Sequence, residues 1–411
     1  MTEPSARALL RRFGQFADRF ADCFSRTAQR DAATQYLDAL FNDSERKSMQ
    51  AMHGRLSDPD SYQSLQHFIT DSPWEADALW TRLRAVVPVR AGILALDDTS
   101  FPKQGQHSVG VKRQYGGALG KIANCQVAVS TVLLGEQLAW PLTFELYLPQ
   151  EWLTDDARRR KARMPDTLRF REKWRIALSH IRRVVQAGFQ LTAVVVDADY
   201  GSTAGFRRGL EHMGLRYGVA IRSGLTMWTP GARRPRTAGE IAAQIPEPDW
   251  QRVTWAEGTK GPLAARFAAL RVRPAKSRGD RWLLCERSLA DDERKYYLLN
   301  HDVTATLHEL VSVVRSRWPV EQQYRELKDD LGIDHFEGRT YRGWTHHTVL
   351  TAMAFTFLQL ERMRAEVDAP RPTLPTVRFW LREIMAVLYV VNNRKLMNLI
   401  VSFQWNPPLR R

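Results

Sequence analysis

Two stretches of this chain run apolar without a break and end on acid. Ala91-Gly-Ile-Leu-Ala-Leu leads into Asp97-Asp98-Thr99, and Leu191-Thr-Ala-Val-Val-Val leads into Asp197-Ala-Asp199-Tyr-Gly201. An unalternating apolar run of this length, β-branched in the second case, predicts a strand covered on both faces, with its acids emerging at the C-terminal tip. Between them, Cys125 to Leu134 and Leu138 to Leu148 are apolar runs separated by Gly135-Glu-Gln137, the pattern of an antiparallel meander. Trp174, Ala177, Leu178, Ile181, Val184 and Val185 recur at helical spacing, and Gly188 stops that helix before the Asp197 strand begins. Ser202 is placed to cap a following helix with Phe206, Leu210 and Met213 on its apolar side and Gly214 at its end. Tyr217 to Ile221 then supplies a fifth short strand.

The flanks read differently. Leu9, Phe13, Phe16 and Phe20 follow helical spacing, Tyr36, Leu37, Leu40 and Phe41 form a second apolar set, and Tyr62 to Ile69 and Glu75 to Val86 continue the pattern across a break at Asp71-Ser72-Pro73. Residues 1–90 are therefore expected to be helical and separate from the strands. Near the other end, Val349 to Met363 predicts a buried helix and Val377 to Val391 another, joined by Asp368 to Pro375. His346 and His347 precede the first of these; adjacent histidines without nearby cysteines point to capping or packing rather than to a metal. Plausible strands also fall at Phe267 to Val272, Trp282 to Cys285 and Tyr296 to Leu299, divided by Pro, Gly and charged turns.

Composition adds a partner class. The 411 residues carry 60 Lys plus Arg against 45 Asp plus Glu, a net charge of +15, so a polyanion is the natural counterpart. A membrane is the weaker choice, because no apolar run approaches the roughly 20 residues needed to span, and Ile384 to Val391 ends at Asn392-Asn-Arg-Lys395. No secretion signal is read at the N-terminus, and Cys23, Cys125 and Cys285 make neither a disulfide set nor a metal cluster, which suits a reducing cytoplasm. Arg158-Arg-Arg-Lys161, Arg163, Arg169, Arg171, Lys173 and Arg175 gather before and along the helix that precedes the Asp197 strand. Asp155, Asp156, Asp166 and Glu172 dilute them, so the cluster reads either as a track for a duplex or as a solvated face.

The most specific chemistry lies in RSRWPVEQQYRELKDDLGIDHFEGR, residues 315–339, where Arg317, Glu321 and Lys328 are spaced Arg, three residues, Glu, six residues, Lys. On a helix, positions seven apart differ in direction by only about 20°, so Glu321 and Lys328 share a face and Arg317 lies close to it. Pro319 suits the first turn of such a helix. An acid between two cations suits a phosphodiester site, the acid holding a metal and the cations gripping phosphate oxygens. Other classes find less support. Gly116-Gly-Ala-Leu-Gly120-Lys121 resembles a phosphate loop, but its glycines are too close and Ile122 stands where Ser or Thr would bind magnesium. Gly-x-Ser-x-Gly and His-Glu-x-x-His are absent.

Three antiparallel strands, helix, strand, helix, strand is the order of the ribonuclease-H-like α/β fold, which would set Asp98 and Asp197 on neighbouring strands. With Asp97-Asp-Thr-Ser-Phe-Pro-Lys103, His107-Ser-Val-Gly-Val-Lys112-Arg-Gln-Tyr115, Gly120-Lys-Ile-Ala-Asn-Cys-Gln-Val127, Asp197-Ala-Asp-Tyr-Gly201 and Arg317-Trp-Pro-Val-Glu321 to Asp334-His335, the chain resembles the DDE transposases of bacterial insertion sequences. It is most similar to the group with a Tyr, Arg, Glu, Lys signature, in the insertion-sequence 701 branch. The signature Tyr falls on Val314, so a phosphate contact made there in the family is missing or comes from another residue.

The resemblance implies a catalytic triad of Asp98, Asp197 and Glu321 holding two Mg²⁺ ions about 4 Å apart, with Mn²⁺ as a substitute. One ion would activate water or a DNA 3′-hydroxyl and the other stabilise the leaving oxygen, so that one site cuts element ends and joins them to target DNA. Arg317 and Lys328, with Lys103 behind them, would position phosphates. Asp97 and Asp199 are the nearest alternatives to the chosen acids. The implied organisation is a helical DNA-binding region at 1–90, a ribonuclease-H-like core at 91–222 and 305–366, a mostly β insertion subdomain at 223–304 and C-terminal helices at 367–411. Trp255, with Lys260 nearby, reads either as a stacking platform for an unpaired base or as part of a small β core. Double-stranded DNA, both element ends and target, is the implied partner, a homodimer the implied assembly and the nucleoid the implied place. A catalytically silent DNA-binding protein and a nuclease that cuts without joining are the rival readings.

Overall fold

A computed structural model describes residues 6–392 except 57–59, 259–260, 276, 278, 292 and 365–370, together with residue 398. Lys260, residues 393–395 and residues 368–370 of the expected 368–375 connection therefore lie outside the described residues. The chain opens with α1 (Ala6–Asp18), α2 (Thr27–Phe41), α3 (Met49–His53), α4 (Tyr62–Thr70) and α5 (Ala76–Val86). β1 (Ala91–Pro102), β2 (Lys112–Gly116), β3 (Lys121–Gly135) and β4 (Leu138–Leu146) follow, then α6 (Gln150–Thr154), α7 (Asp156–Lys161), α8 (Lys173–Gln186), β5 (Gln190–Val196), α9 (Ala198–Gly201), α10 (Ala204–His212) and β6 (Tyr217–Ile221). The next segment holds β7 (Thr226–Trp228), β8 (Arg236–Thr237), α11 (Ala238–Ala242), β9 (Gln251–Gly258), β10 (Gly261–Pro274), β11 (Arg281–Arg287) and β12 (Arg294–Leu299). α12 (Leu307–Arg315), α13 (Trp318–Asp329), α14 (Tyr341–Met363) and α15 (Leu374–Asn392) complete the order.

The expected meander is present, with Glu136 and Gln137 both at positive φ in the tight turn between β3 and β4, a backbone twist that matches the flanking strands. An edge strand, β2, was not anticipated; its Lys112-Arg-Gln-Tyr composition carries no apolar run. β1 sits at the centre, antiparallel to β3 and parallel to β5, with Ala95 opposite Val195, and β5 runs parallel to β6. The acids at the ends of β1 and β5 therefore leave the sheet side by side. Ser202 does not cap α10: Thr203 occupies that position, and Ser202 closes the one-turn α9, where its hydroxyl accepts from the Arg222 N–H.

The inserted segment continues the sheet of the core. β12 pairs antiparallel with β6, and the order among the described residues is β2-β3-β1-β5-β6-β12-β11-β10-β7-β8, with β4 on β3 and β9 on β10. The three expected strands of the insertion appear as parts of β10, β11 and β12. β7, β8 and α11 were not expected because they are short.

Alternation along β1 gives the sheet two faces. Leu94 and Leu96 pack with Ile181 and Phe206 on the side of α8 and α10, whereas Ala95 packs with Val320 on the side of α13. The N-terminal helices are not separate from the core, as the sequence suggested. Phe13, Phe16 and Phe41 pack around Phe357 of α14, at ring-centroid distances of 5.4, 5.4 and 6.1 Å. One hydrophobic cluster joins them to Phe101 and Phe144 of the sheet. His346 stacks on Trp74 at 3.4 Å, and Tyr36 shares a 2.8 Å hydrogen bond with His347, so both histidines are packing residues. Among the described residues, no helix is long and apolar enough to cross a membrane.

Candidate active site

Each candidate acid is held by the local fold. Asp97 and Asp98 fall in the last half of β1, so their side chains leave on opposite faces. Asp97 turns toward α13, where it forms an ion pair with Arg317. Asp98 turns toward α8: Lys173 lies 2.5 Å from one carboxylate oxygen and the Tyr200 hydroxyl donates to the other. Asp197 is the N-cap of α9, accepting from the N–H groups of Asp199 at 3.1 Å and Tyr200 at 3.2 Å, which fixes the carboxyl at the strand tip. Gly201 lets α9 lie against β6, since a Cβ there would collide with the Ala220 carbonyl.

Glu321 stands one turn into α13, exposed, with Pro319 in the first turn as expected. Asp197, Glu321, Arg317, Arg315 and Trp255 line a common cleft of about 620 Å³ at the boundary of the core and the inserted strands. Lys328, further along α13, is half-buried and donates to the Ser100 carbonyl at 3.2 Å. Burial lowers its pKa.

Lys103 is tied down more firmly: its ammonium donates to the carbonyls of Asp334 at 3.2 Å and Phe336 at 2.7 Å, holding the segment after α13 against β1. The ring of Trp255 carries the Arg315 guanidinium at 4.1 Å on its face and meets the Phe267 ring edge-on. Trp255 is thus both a partial core residue and a wall of the cleft. Val314, in the place of the signature Tyr, is buried at the back of that cleft, and Tyr297 lines the same space with its hydroxyl donated to Glu286. Asp199 turns outward to Arg222.

Electrostatics mark the strand tips. Burial, reinforced by the negative charges of Asp97 and Asp98, pushes Asp197 up to about 7, against the opposing pull of its backbone donor and of Arg317. Burial likewise raises Asp97, with Arg317 opposing. Carboxylates crowded in this way are short of positive charge. Hard carboxylate oxygens in such a cluster suit a divalent cation of the magnesium or manganese type. As the side chains stand, no three of the His, Cys, Asp or Glu side chains among the described residues are grouped to hold a metal; Arg317 and Lys173 engage Asp97 and Asp98.

Three residues here escaped the sequence reading. Tyr200 lay in plain view within the Asp197-Ala-Asp-Tyr-Gly motif, but its reach to Asp98 depends on the β1–β5 register. Lys173 carried no signal beyond membership of a basic run. Trp318, directly after Arg317, is 65% exposed and borders both the main cleft and an adjoining one of about 330 Å³.

A strand flanked by one antiparallel and one parallel neighbour, with carboxylates at the parallel strand tips and another on a packed helix, is the arrangement of a ribonuclease-H-like α/β core. Comparison with known proteins agrees. The model of the DDE superfamily endonuclease family matches residues 19–262, and that of the transposase DDE domain matches residues 170–357. The chain belongs to the DDE superfamily of endonucleases and transposases. It is 28% identical over 310 residues, 73% of each chain, to a protein of Microchaete diplosiphon described as "Probable transposase for insertion sequence element IS701".

Proposed function

We propose that the protein is a DNA transposase that cuts the ends of an insertion sequence and joins them to target DNA. The observation that carries this reading is the convergence of Asp197, Glu321 and Arg317 on one cleft, with Asp97 and Asp98 at the adjoining strand tip. Asp98, Asp197 and Glu321 are the metal ligands in this account; Asp98 leaves β1 on the α8 side, held by Lys173 and Tyr200, and does not line the cleft that Asp197 and Glu321 share, while Asp97 is the partner that orients Arg317. Bound Mg²⁺, or Mn²⁺ in its place, would supply Lewis-acid stabilisation of a phosphoryl oxygen and lower the pKa of an attacking water or 3′-hydroxyl.

The protein's own contribution is positional. Arg317 lies where a phosphate oxygen could take over its donors from Asp97, and a bidentate guanidinium suits that exchange. Lys328 and Lys103 donate to backbone carbonyls and tie α13 and the segment after it to β1, a smaller role than direct phosphate contact. Trp255 and Trp318 present aromatic surface at the cleft, suited to an unpaired base. Two DNA ends must be processed together, so a homodimer is the expected assembly on DNA. Because the same cleft would serve a nuclease, the test must separate cutting from joining. Labelled duplexes bearing the DNA that flanks the gene are incubated with Mg²⁺ or with Ca²⁺ and a target plasmid. Joined products only with Mg²⁺ support the transposase. Cut but never joined ends identify a nuclease, and binding without any cutting identifies a silent DNA-binding protein.

A further inference from the structure

We infer that the hairpin of β2 and β3 is a DNA-contacting ribbon that seats Tyr115 and Ile122 in a groove of the duplex beside the cut, with Arg113 and Lys121 on the adjoining phosphates. This rests on the transposase reading but concerns a surface outside the catalytic cleft. Tyr115 and Ile122 are direct cross-strand partners, 59% and 60% exposed. Two large apolar side chains displayed together, on the outermost strand of a sheet and its neighbour, are a liability unless a partner covers them. Alternation places Arg113 and Asn124, another cross-strand pair, on the same face. Asn124 anchors that face to the chain leaving β1, donating to the carbonyls of Lys103 at 2.6 Å and Gly105 at 2.9 Å.

Charge identifies the occupant. Residues 111–126 contain Lys112, Arg113 and Lys121 and no Asp or Glu; Lys112 is paired with Glu151 of α6, and Arg113 and Lys121 are exposed. The base of the hairpin leans on α6 and α7: Trp152 donates to the Val111 carbonyl at 2.8 Å, and Arg158 donates to the Gln106 carbonyl at 3.2 Å. The exposed Arg160 and Lys161 of α7 extend the basic surface. A two-stranded ribbon fits the major groove, and apolar wedges are used between base steps in the minor groove. The Gly116-Gly-Ala-Leu-Gly120 tip, with Gly120 at φ 62°, forms a compact end to the ribbon. Along β3, Ile122 is seven residues from Val129, the partner of Asp98. At roughly 3.3 Å per residue this is about 23 Å, or about seven base pairs of duplex.

The test uses the full-length protein and duplexes made from the DNA flanking its gene. A Tyr115→Ser/Ile122→Ser variant and an Arg113→Ala/Lys121→Ala variant are compared with wild type by fluorescence anisotropy across salt concentrations, by hydroxyl-radical footprinting and by end cleavage. Because all four side chains are exposed, unchanged melting curves confirm folding. The apolar variant is expected to bind about tenfold more weakly and to lose protection about seven base pairs from the cut. The basic variant should lower the slope of log affinity against log salt by about 2. Wild-type cutting and joining with both variants binding, protecting and cutting normally would overturn the ribbon while leaving the transposase reading intact. Wild-type protein that binds through the ribbon yet never cuts would support the ribbon and reject the transposase. Wild-type protein that binds no duplex overturns both.

Discussion

At the scale of residues, Asp97 and Asp98 are neighbours in the chain with different partners. Asp97 faces Arg317 of α13, and Asp98 faces Lys173 of α8 and the buried Tyr200. The assignment of Asp98 as first ligand therefore makes a sharp prediction. Asp98→Asn should abolish DNA nicking while the variant melts near the wild-type temperature. Asp97→Asn should leave measurable nicking but lower the melting temperature, because it strands a half-buried guanidinium whose partner is gone, a loss of about 3 kcal/mol. Nicking rates and melting curves of the two purified variants decide; the reverse ranking would move the ligand role to Asp97. The acidic pair itself was visible in the sequence, since an apolar strand ending in two carboxylates is a strong local pattern. Which acid faces which helix was not, because that depends on sheet alternation and on partners 75 or more residues away, as with the 220-residue separation of Asp97 and Arg317 and the 75-residue separation of Lys173 and Asp98.

Elements carry the next level of the argument. α14 serves both as a wall of the catalytic core and as the seat of the N-terminal helices, and Phe357 is the contact between these roles. Phe357→Ala should cost about 3–5 kcal/mol in chemical denaturation, since the rings of Phe13, Phe16 and Phe41 close around a side chain whose loss leaves a cavity. A cost below about 1 kcal/mol would mean the N-terminal helices are held elsewhere. Helices with a clear apolar stripe and strands with a continuous apolar run were legible: α8, β5, β6 and α13 stand where the pattern placed them, whereas α14 begins at Tyr341, eight residues before the expected Val349, so that His346 and His347 lie inside it rather than before it. The misses share a physical origin. β2 is an edge strand with little to bury, β7 and β8 are two or three residues long, and the cap of α10 shifted by one residue because the Asp197 turn inserts α9 first. The docking of the N-terminal helices was hidden because amphipathic spacing announces a buried face and not what buries it.

For the whole molecule, pH acts through opposing groups. Burial pushes His346 and His347 down to about 4, so the stability they confer as neutral rings is present above about 6.5 and lost as pH falls toward 4. Burial pushes Asp38 up to about 7, so its effect has the other sign: stability is greatest below the unfolded pKa of about 4 and is lost as pH rises through 7. Because the windows overlap, the informative quantity is a difference. Asp38→Asn should match wild type near pH 4 and become more stable as pH rises, levelling off above pH 8 at a gain on the order of 2 kcal/mol, partial solvent access being allowed for. A gap that stays constant with pH in thermal melts would show that Asp38 titrates normally.

The central claim, that the cleft between the core and the inserted strands performs phosphoryl transfer on DNA, rests most heavily on Glu321. The most direct measurement is single-turnover nicking and joining of labelled duplexes carrying the gene's flanking DNA, in Mg²⁺, by the wild-type protein and by Glu321→Gln. The account predicts that the substitution lowers both reactions by at least about a thousandfold, roughly 4 kcal/mol of barrier, while DNA affinity is unchanged. Undiminished nicking by Glu321→Gln would contradict it, because the reaction would then be carried by a site other than this cleft.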